Sequence, residues 1–218
     1  MPDSMLPPLK LIFETAVTST QDAIVPIIKE NPDKCVFLLA ETQTAGRGRR
    51  DHDWVSLPGG LWGTFAFPIP QVPTSEQLIF LHYQVALILR NLLKQHYSLQ
   101  VLVKWPNDII YLTPKMTENS ETGPQTPKKV AGILIEMLSS PAEQYILVGL
   151  GINLNNAAND FPIGLMTEVI SVTDILHRNV HLPKFARALG LSLRKTLSAL
   201  FALPPTPETI SQIMREYM

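Results

Sequence analysis

The chain has a single cysteine, Cys35, in 218 residues, so no internal disulfide can brace it. A lone thiol is the usage of a reducing compartment. Long apolar runs are missing too. None reaches the length of about 20 residues that a membrane-crossing helix needs. The opening MPDSMLPPLKL has no apolar core of the kind a secretory leader carries. Cytoplasm is therefore the expected location. Charge of either sign is in short supply and nearly balanced, with a net value of −1, which argues against a broadly basic surface for nucleic acid. Charged residues make up 17% and hydrophobic ones 45%, so a chain of this length can close a full core as one domain.

Several familiar site motifs are also missing. Gly149-Leu150-Gly151-Ile152-Asn153 follows an apolar run, but position 154 is Leu154, so the third glycine of a dinucleotide fingerprint is lacking. There is no Gly-x-x-x-x-Gly-Lys-Ser/Thr phosphate loop and no Gly-x-Ser-x-Gly elbow. His177 and His181 are four apart, yet no third ligand accompanies them, so no metal site is expected. Cys35 reads as a buried apolar residue, not a nucleophile.

The pattern of what is present points to mixed strands and helices. Leu9–Phe13, Val36–Glu41, Leu61–Phe67, Val101–Lys104, Ile109–Leu112, Val130–Met137 and Tyr145–Leu154 read as strands. Gln21–Glu30, capped by Ser19 or Thr20, Ser75–Tyr97 and Lys184–Leu203 read as helices. Thr113–Pro127 is polar and reads as a hairpin loop, and Pro207–Met218 begins a further helix. Adjacent strands without strict alternation predict an α+β fold, a mixed β-sheet backed by helices.

Four short motifs carry the chemistry. Gly46-Arg47-Gly48-Arg49-Arg50 sets three guanidiniums among two glycines, directly after an apolar strand and before Trp54. It is either a solvated basic turn or an anion cradle, and three crowded cations favour an anion. Lys104-Trp105-Pro106-Asn107-Asp108 is a turn whose Asn107 offers the paired donor and acceptor that suit an adenine edge. Lys129 opens an apolar strand with Gly132 three positions on, which is a sheet-edge lysine or a cation for an anionic substrate. Gly149–Asn153 is a strand end that admits a close ligand.

Together and in this order, Ser19-Thr20-Gln21, Gln43–Arg50, Lys104–Asp108, Lys129–Leu134 and Gly149–Asn153 resemble the catalytic domain of biotin–protein ligases, the biotin–[acetyl-CoA-carboxylase] ligases. The resemblance covers most of Leu9–Leu203. It implies a class II synthetase-like catalytic domain over residues 1–203, followed by a helix over 204–218. It implies ATP with Mg²⁺ and biotin as substrates, biotinyl-5′-AMP as the intermediate, and a lysine of a biotin carboxyl carrier protein as acceptor. A homodimer is compatible with it; nucleic acid and membrane partners are not expected.

By the same resemblance Ser19, Thr20, Gln21 and Gln43 contact biotin, and Trp62 walls its rings. Gly46, Arg47, Gly48 and Arg49 wrap the biotin carboxylate and the phosphate, with Gly132 and Gly149 alongside. Lys129 and Arg47 carry the catalysis. Arg49, Arg50, Trp54, Lys104, Asn107 and Asn153 fall on the nucleotide side. Gln21 stands where asparagine is usual. Asp51-His52-Asp53 replaces a glycine and a basic residue, which puts negative charge beside the phosphate loop and removes a flexible position. The small β-barrel usual after the last helix is not expected before Met218, and no DNA-binding domain fits before Leu9. A repressor is thereby disfavoured. A lipoate ligase is disfavoured by the arginine and Lys-Trp-Pro-Asn-Asp motifs. A non-catalytic remnant is disfavoured by the retention of Arg47, Lys129 and Asn153.

Overall fold

The computed structural model describes residues 6–113, 126–139 and 144–202, together with Thr206, Glu208 and residues 210–212. Seven strands form one sheet: β1 Leu9–Val17, β2 Cys35–Gln43, β3 Leu61–Pro68, β4 Leu102–Lys104, β5 Asp108–Thr113, β6 Thr126–Ser139 and β7 Gln144–Ile152. Their spatial order is β1-β2-β3-β7-β6-β5-β4. β1 runs parallel to β2, and the remaining pairs are antiparallel. The parallel pair is joined through helix α1, Thr20–Lys29, because a parallel neighbour needs a crossover and not a tight turn. The other helices are α2 Ser75–Tyr97, the short α3 Ile163–Met166 and α4 Val172–Leu176, and α5 Leu182–Ala202. The expected α+β class holds. Of the expected loop, Thr113, Thr126 and Pro127 are strand residues, while 114–125 lie outside the described residues. Most of the expected C-terminal helix lies outside them too.

Alternation along the strands divides the core in two. Phe37, Leu39, Phe65, Ile133, Val148 and Leu150 face α2 and α5. Val36, Leu38, Ala66, Tyr145 and Leu147 face Ile24 and Ile28 of α1. β2 is buried continuously from Cys35 to Ala40 because both its faces are covered. α2 starts with a capping box, in which Thr74 and Gln77 satisfy each other's backbone N–H groups. Among the described residues no helix is long and apolar enough to cross a membrane.

The two faces are covered unequally, and this places the site. α1 is short and covers only one end of its face. Beyond its N-terminus the sheet presents Gly149, Gly151 and Gly132, with Gly132 and Gly151 directly paired. No side chains rise from these positions, so the floor there is bare backbone.

One irregularity matters as much. Ile109 pairs with Ala131 and Ile110 pairs with Lys129, so Val130 is an extra residue in β6. Val130 and Ala131 both enter the larger core cluster. The bulge therefore turns Lys129 to the open face beside Gly132, where a Cβ on that glycine would lie 3.1 Å from Lys129 Cε.

Candidate active site

Above the glycine floor lies a cavity of about 890 Å³, near the upper end of small-molecule sites. Its walls come from the N-terminus of α1, the arginine loop, the β4–β5 turn, β6, β7 and residues 161–169.

The α1 end supplies buried polar groups. Ser19, Thr20 and Gln21 are 1%, 3% and 4% exposed. Ser19 occupies the N-cap position, but its side chain makes no capping bond. Its Oγ, like Gln21 Oε1, is buried without a partner. Each such group costs about 1–3 kcal/mol if left so, and a ligand at the cavity floor would satisfy both. Thr20 is held by Gln43, whose Oε1 accepts from the Thr20 backbone N–H at 2.8 Å and from Oγ1 at 3.0 Å. Gln43 Nε2 then donates to Ser56 Oγ at 2.8 Å.

The arginine loop closes on itself. Trp54 N donates to Gly46 O, and Gly48 N donates to His52 O at 2.7 Å. A Cβ on Gly48 would sit 2.9 Å from that same oxygen, so the closure needs glycine. The left-handed residue in the loop is Arg50, at φ 54°. Asp51 has no positive φ, so losing glycine there costs no backbone strain. Arg47 Nη2 pairs with Asp22 at 3.1 Å and Glu136 at 3.0 Å. Arg49 Nη1 donates to Asn107 Oδ1 at 2.8 Å. Asn107 Nδ2 donates to Asp108 at 3.2 Å, and Asp108 pairs with Lys129 Nζ at 2.7 Å. The two cation motifs thus meet across the cavity through the β4–β5 turn.

Trp54 lies flat on the glycine floor. A Cβ on Gly132 would sit 2.8 Å from its ring, and one on Gly151 would overlap it. Lys129 Nζ rests 4.8 Å from the Trp54 ring centroid, within cation–π range. Lys104, Arg49 and Arg50 add positive charge to the cavity wall, and all three are exposed.

Most of the residues expected from sequence meet here, with differences. Ser19, Thr20, Gln21, Gln43, Arg47, Gly48, Arg49, Arg50, Trp54, Lys104, Asn107, Lys129, Gly132, Gly149 and Asn153 all line the one cavity. Trp62 does not. It is fully buried, its Nε1 donates to Leu57 O at 2.8 Å, and its ring meets Trp54 edge-on at 6.3 Å. The indoles that border the cavity are Trp54 and Trp105. Gly46 sits outside the lining and shapes the loop instead, since a Cβ there would meet Trp54 O at 2.5 Å. Asn153 is 2% exposed and already engaged: Nδ2 donates to Lys129 O at 3.3 Å, and Oδ1 accepts from Asn156 at 3.1 Å. It braces the bulge that aims Lys129.

The family model for the biotin/lipoate A/B protein ligases matches residues 15–153, a span that takes in the α1 end, the arginine loop, the β4–β5 turn and Lys129. The chain belongs to that family. It is 31% identical over 156 residues to the bifunctional ligase/repressor BirA of Bacillus subtilis, covering 70% of this chain and 42% of that one. It is 34% identical over 125 residues to the biotin–[acetyl-CoA-carboxylase] ligase of Paracoccus denitrificans, covering 56% and 45%. The match thus spans less than half the length of either relative. The fold matches a structure of the biotin protein ligase of Aquifex aeolicus in complex with biotin and ATP, with a TM-score of 0.69 and 25% identity, covering 88% of this chain and 72% of that one.

Two parts of the site were not assigned from the sequence motifs. Asp108 and Glu136 hold the two central cations; Asp108 ends the Lys-Trp-Pro-Asn-Asp motif but was given no role there, and Glu136, a lone acidic residue in a strand, has no pattern that marks it. Residues 161–169 add the apolar side chains Phe161, Leu165 and Val169 to the wall. They are held there because Lys129 N donates to Glu168 O at 2.7 Å and Ile170 N to Lys129 O at 3.0 Å. That pairing is made 40 residues along the chain, so no local motif announces it.

Proposed function

We propose that the protein is an ATP-dependent biotin–protein ligase. In the first step a biotin carboxylate oxygen attacks the α-phosphorus of ATP, and the bond to pyrophosphate breaks, leaving biotinyl-5′-AMP. In the second step a lysine amine of a carrier domain attacks the acyl carbon, AMP leaves with the bonding pair, and the amine gives up a proton to solvent. The carrier we infer is the biotin carboxyl carrier protein of acetyl-CoA carboxylase, as the name of the Paracoccus relative suggests.

The observation that carries the reading is the two-part character of this cavity. One end offers unpartnered, buried neutral oxygens on Ser19 and Gln21, which suit an uncharged head with N–H donors. The middle and far wall offer Arg47, Lys129, Arg49, Arg50 and Lys104, which suit carboxylate and phosphates. Biotin has a urea at one end and a carboxylate at the other, so it fits that gradient lengthwise.

The chemistry needs what the cations supply. A carboxylate and a phosphate about 4 Å apart repel by about 4 kcal/mol at an effective dielectric near 20. Lys129 and Arg47 offset that repulsion where the two groups meet, and Lys129 gains most as charge shifts onto the oxygens. Asp108 holds the Lys129 ammonium toward the β4–β5 turn, and the Trp54 face limits its sideways movement. Phe161, Leu165 and Val169 offer an apolar wall for the purine plane. Mg²⁺ enters with the nucleotide as MgATP and shields the phosphate charge. The second step chiefly needs the amine held in line, because adenylate is a good leaving group.

Incubation with biotin, ATP and Mg²⁺ should release pyrophosphate without any carrier. Adding the carrier domain should raise its intact mass by one biotinyl group. Pyrophosphate release with lipoate or octanoate but not with biotin would overturn the substrate assignment in favour of the other branch of the family.

A further inference from the structure

Gln21 Nε2 donates to Glu136 Oε2 at 2.8 Å. The same Oε2 accepts from Arg47 Nη2 at 3.0 Å, and Arg47 reaches on to Asp22 of α1. One carboxylate oxygen in mid-strand β6 therefore ties together the first turn of α1 and the arginine loop. On the other side of its amide, Gln21 Oε1 is buried without a partner. The amide lies against Gly149, where a Cβ would come within 3.2 Å of Gln21 Cδ.

A glutamine amide can present either a donor or an acceptor to a cavity, depending on how it is turned. A carboxylate paired with a guanidinium can only accept. It therefore holds the NH₂ end of Gln21 and leaves the carbonyl oxygen as the end available to a ligand. We propose that Glu136 is a positioning residue that sets the hydrogen-bonding sense of Gln21, and so makes this end of the cavity select a ligand bearing an N–H donor. The inference rests on the biotin reading, in which the donor is a ureido N–H. Glu136 touches no substrate. It acts by denying Gln21 the flipped orientation, in which an NH₂ group would face the ligand donor and leave both hydrogen-bonding groups unmatched.

Two features separate this role from simple bracing. If Glu136 served only to anchor Arg47, its loss would loosen the loop and weaken every ligand equally. Loss of amide orientation weakens only ligands that carry the N–H. The charge swap in which position 21 becomes the carboxylate and position 136 the amide keeps the inter-residue bond, keeps an anion near Arg47, and keeps an acceptor oxygen at the cavity.

The test is calorimetric binding by the full chain of biotin and of biotin methylated at one or the other ureido nitrogen. The parent should bind biotin about tenfold more tightly than at least one methylated form. Glu136→Gln should lose about tenfold in biotin affinity, with its preference for the N–H form shrinking to near unity and its melting temperature and MgATP affinity close to the parent. The double variant Gln21→Glu with Glu136→Gln should regain most of the preference. A Glu136→Gln protein that keeps the parent's preference overturns the proposal, as does one that loses biotin, both methylated forms and MgATP in equal proportion, or a double variant that stays non-selective. A parent protein that binds MgATP but no form of biotin instead overturns the biotin reading itself.

Discussion

Lys129 owes its place in the cavity to one extra residue, Val130, and its aim to Asp108, 2.7 Å from its ammonium. If it neutralises the meeting of carboxylate and α-phosphate, Lys129→Ala should slow adenylate formation by about 10²–10³-fold, equivalent to about 3–4 kcal/mol. Lys129→Arg should rescue little, because a planar fork does not replace a compact charge between two groups. Pyrophosphate release by the folded variant within about threefold of the parent would leave Lys129 a mere strand-edge cation. Gly151 has an equally specific task. A methyl group there overlaps the Trp54 ring, so Gly151→Ala should lift the indole from the sheet at a cost of about 1–3 kcal/mol. The expected signs are a shift in tryptophan emission and weaker nucleotide binding. An unchanged emission spectrum would mean that Trp54 does not rest on this glycine in solution.

The arginine loop shows how an element departs from what its composition implies. Its glycines at 46 and 48 are needed for closure, while the left-handed conformation falls on Arg50. The backbone at position 51 is shaped without glycine, which leaves the charge of Asp53 as the effect to test. Asp53 lines the cavity on the same loop as the three arginines. Asp53→Asn should therefore slow release of the negatively charged adenylate, by a few-fold at low ionic strength. The difference should fade as salt rises, since charges this exposed are screened over about 8–10 Å at physiological strength. Retention of radiolabelled intermediate after rapid desalting measures it. Faster release from Asp53→Asn would indicate that the carboxylate orders the loop and does not repel the ligand.

Across the whole molecule one buried and one half-buried group report on folding. Burial pushes the Cys35 thiol up to about 12, against the opposing pull of the Arg194 guanidinium. The thiolate is scarce in the native state, so iodoacetamide at pH 8 should label Cys35 only as the fold opens. Labelling should accelerate in step with unfolding in urea; rapid labelling of the native protein would contradict the burial. His82 lies on α2, its Nδ1 2.9 Å from Leu78 O. Burial lowers its proton affinity first, the Leu78 carbonyl opposes this, and the Arg49 guanidinium lowers it further. The unfolded chain takes up this proton at about pH 6.5, and the folded chain only at a lower pH. In that window the unfolded state binds more protons, so the contribution to stability is full above about pH 6.5 and lost as pH falls through the folded value. The urea midpoint should fall between pH 7.5 and 5.5, and His82→Gln should flatten that slope. Parallel slopes would show that another group controls it.

Local pattern was enough to read the strands, the three long helices and the motifs that converge on the cavity. α2 was legible to the residue, Ser75–Tyr97, because a long apolar period between a cap and a turn has no competing reading. Glycines, guanidiniums and the Lys-Trp-Pro-Asn-Asp turn were legible for a similar reason: their chemistry is intrinsic to the residue types. What escaped depends on partners far along the chain. A one-residue bulge between β5 and β6 decides the face that Lys129 occupies, and register between strands is a tertiary property. Trp54 rather than Trp62 borders the cavity because paired glycines on β6 and β7 make room for it. Asp108 and Glu136 acquire their roles only when strand pairing brings them to Lys129 and to Gln21 and Arg47, the last two more than 80 residues away in sequence. Composition and period act within a few residues of one another, whereas the site is assembled by contacts between strands and helices that only the closed sheet brings together.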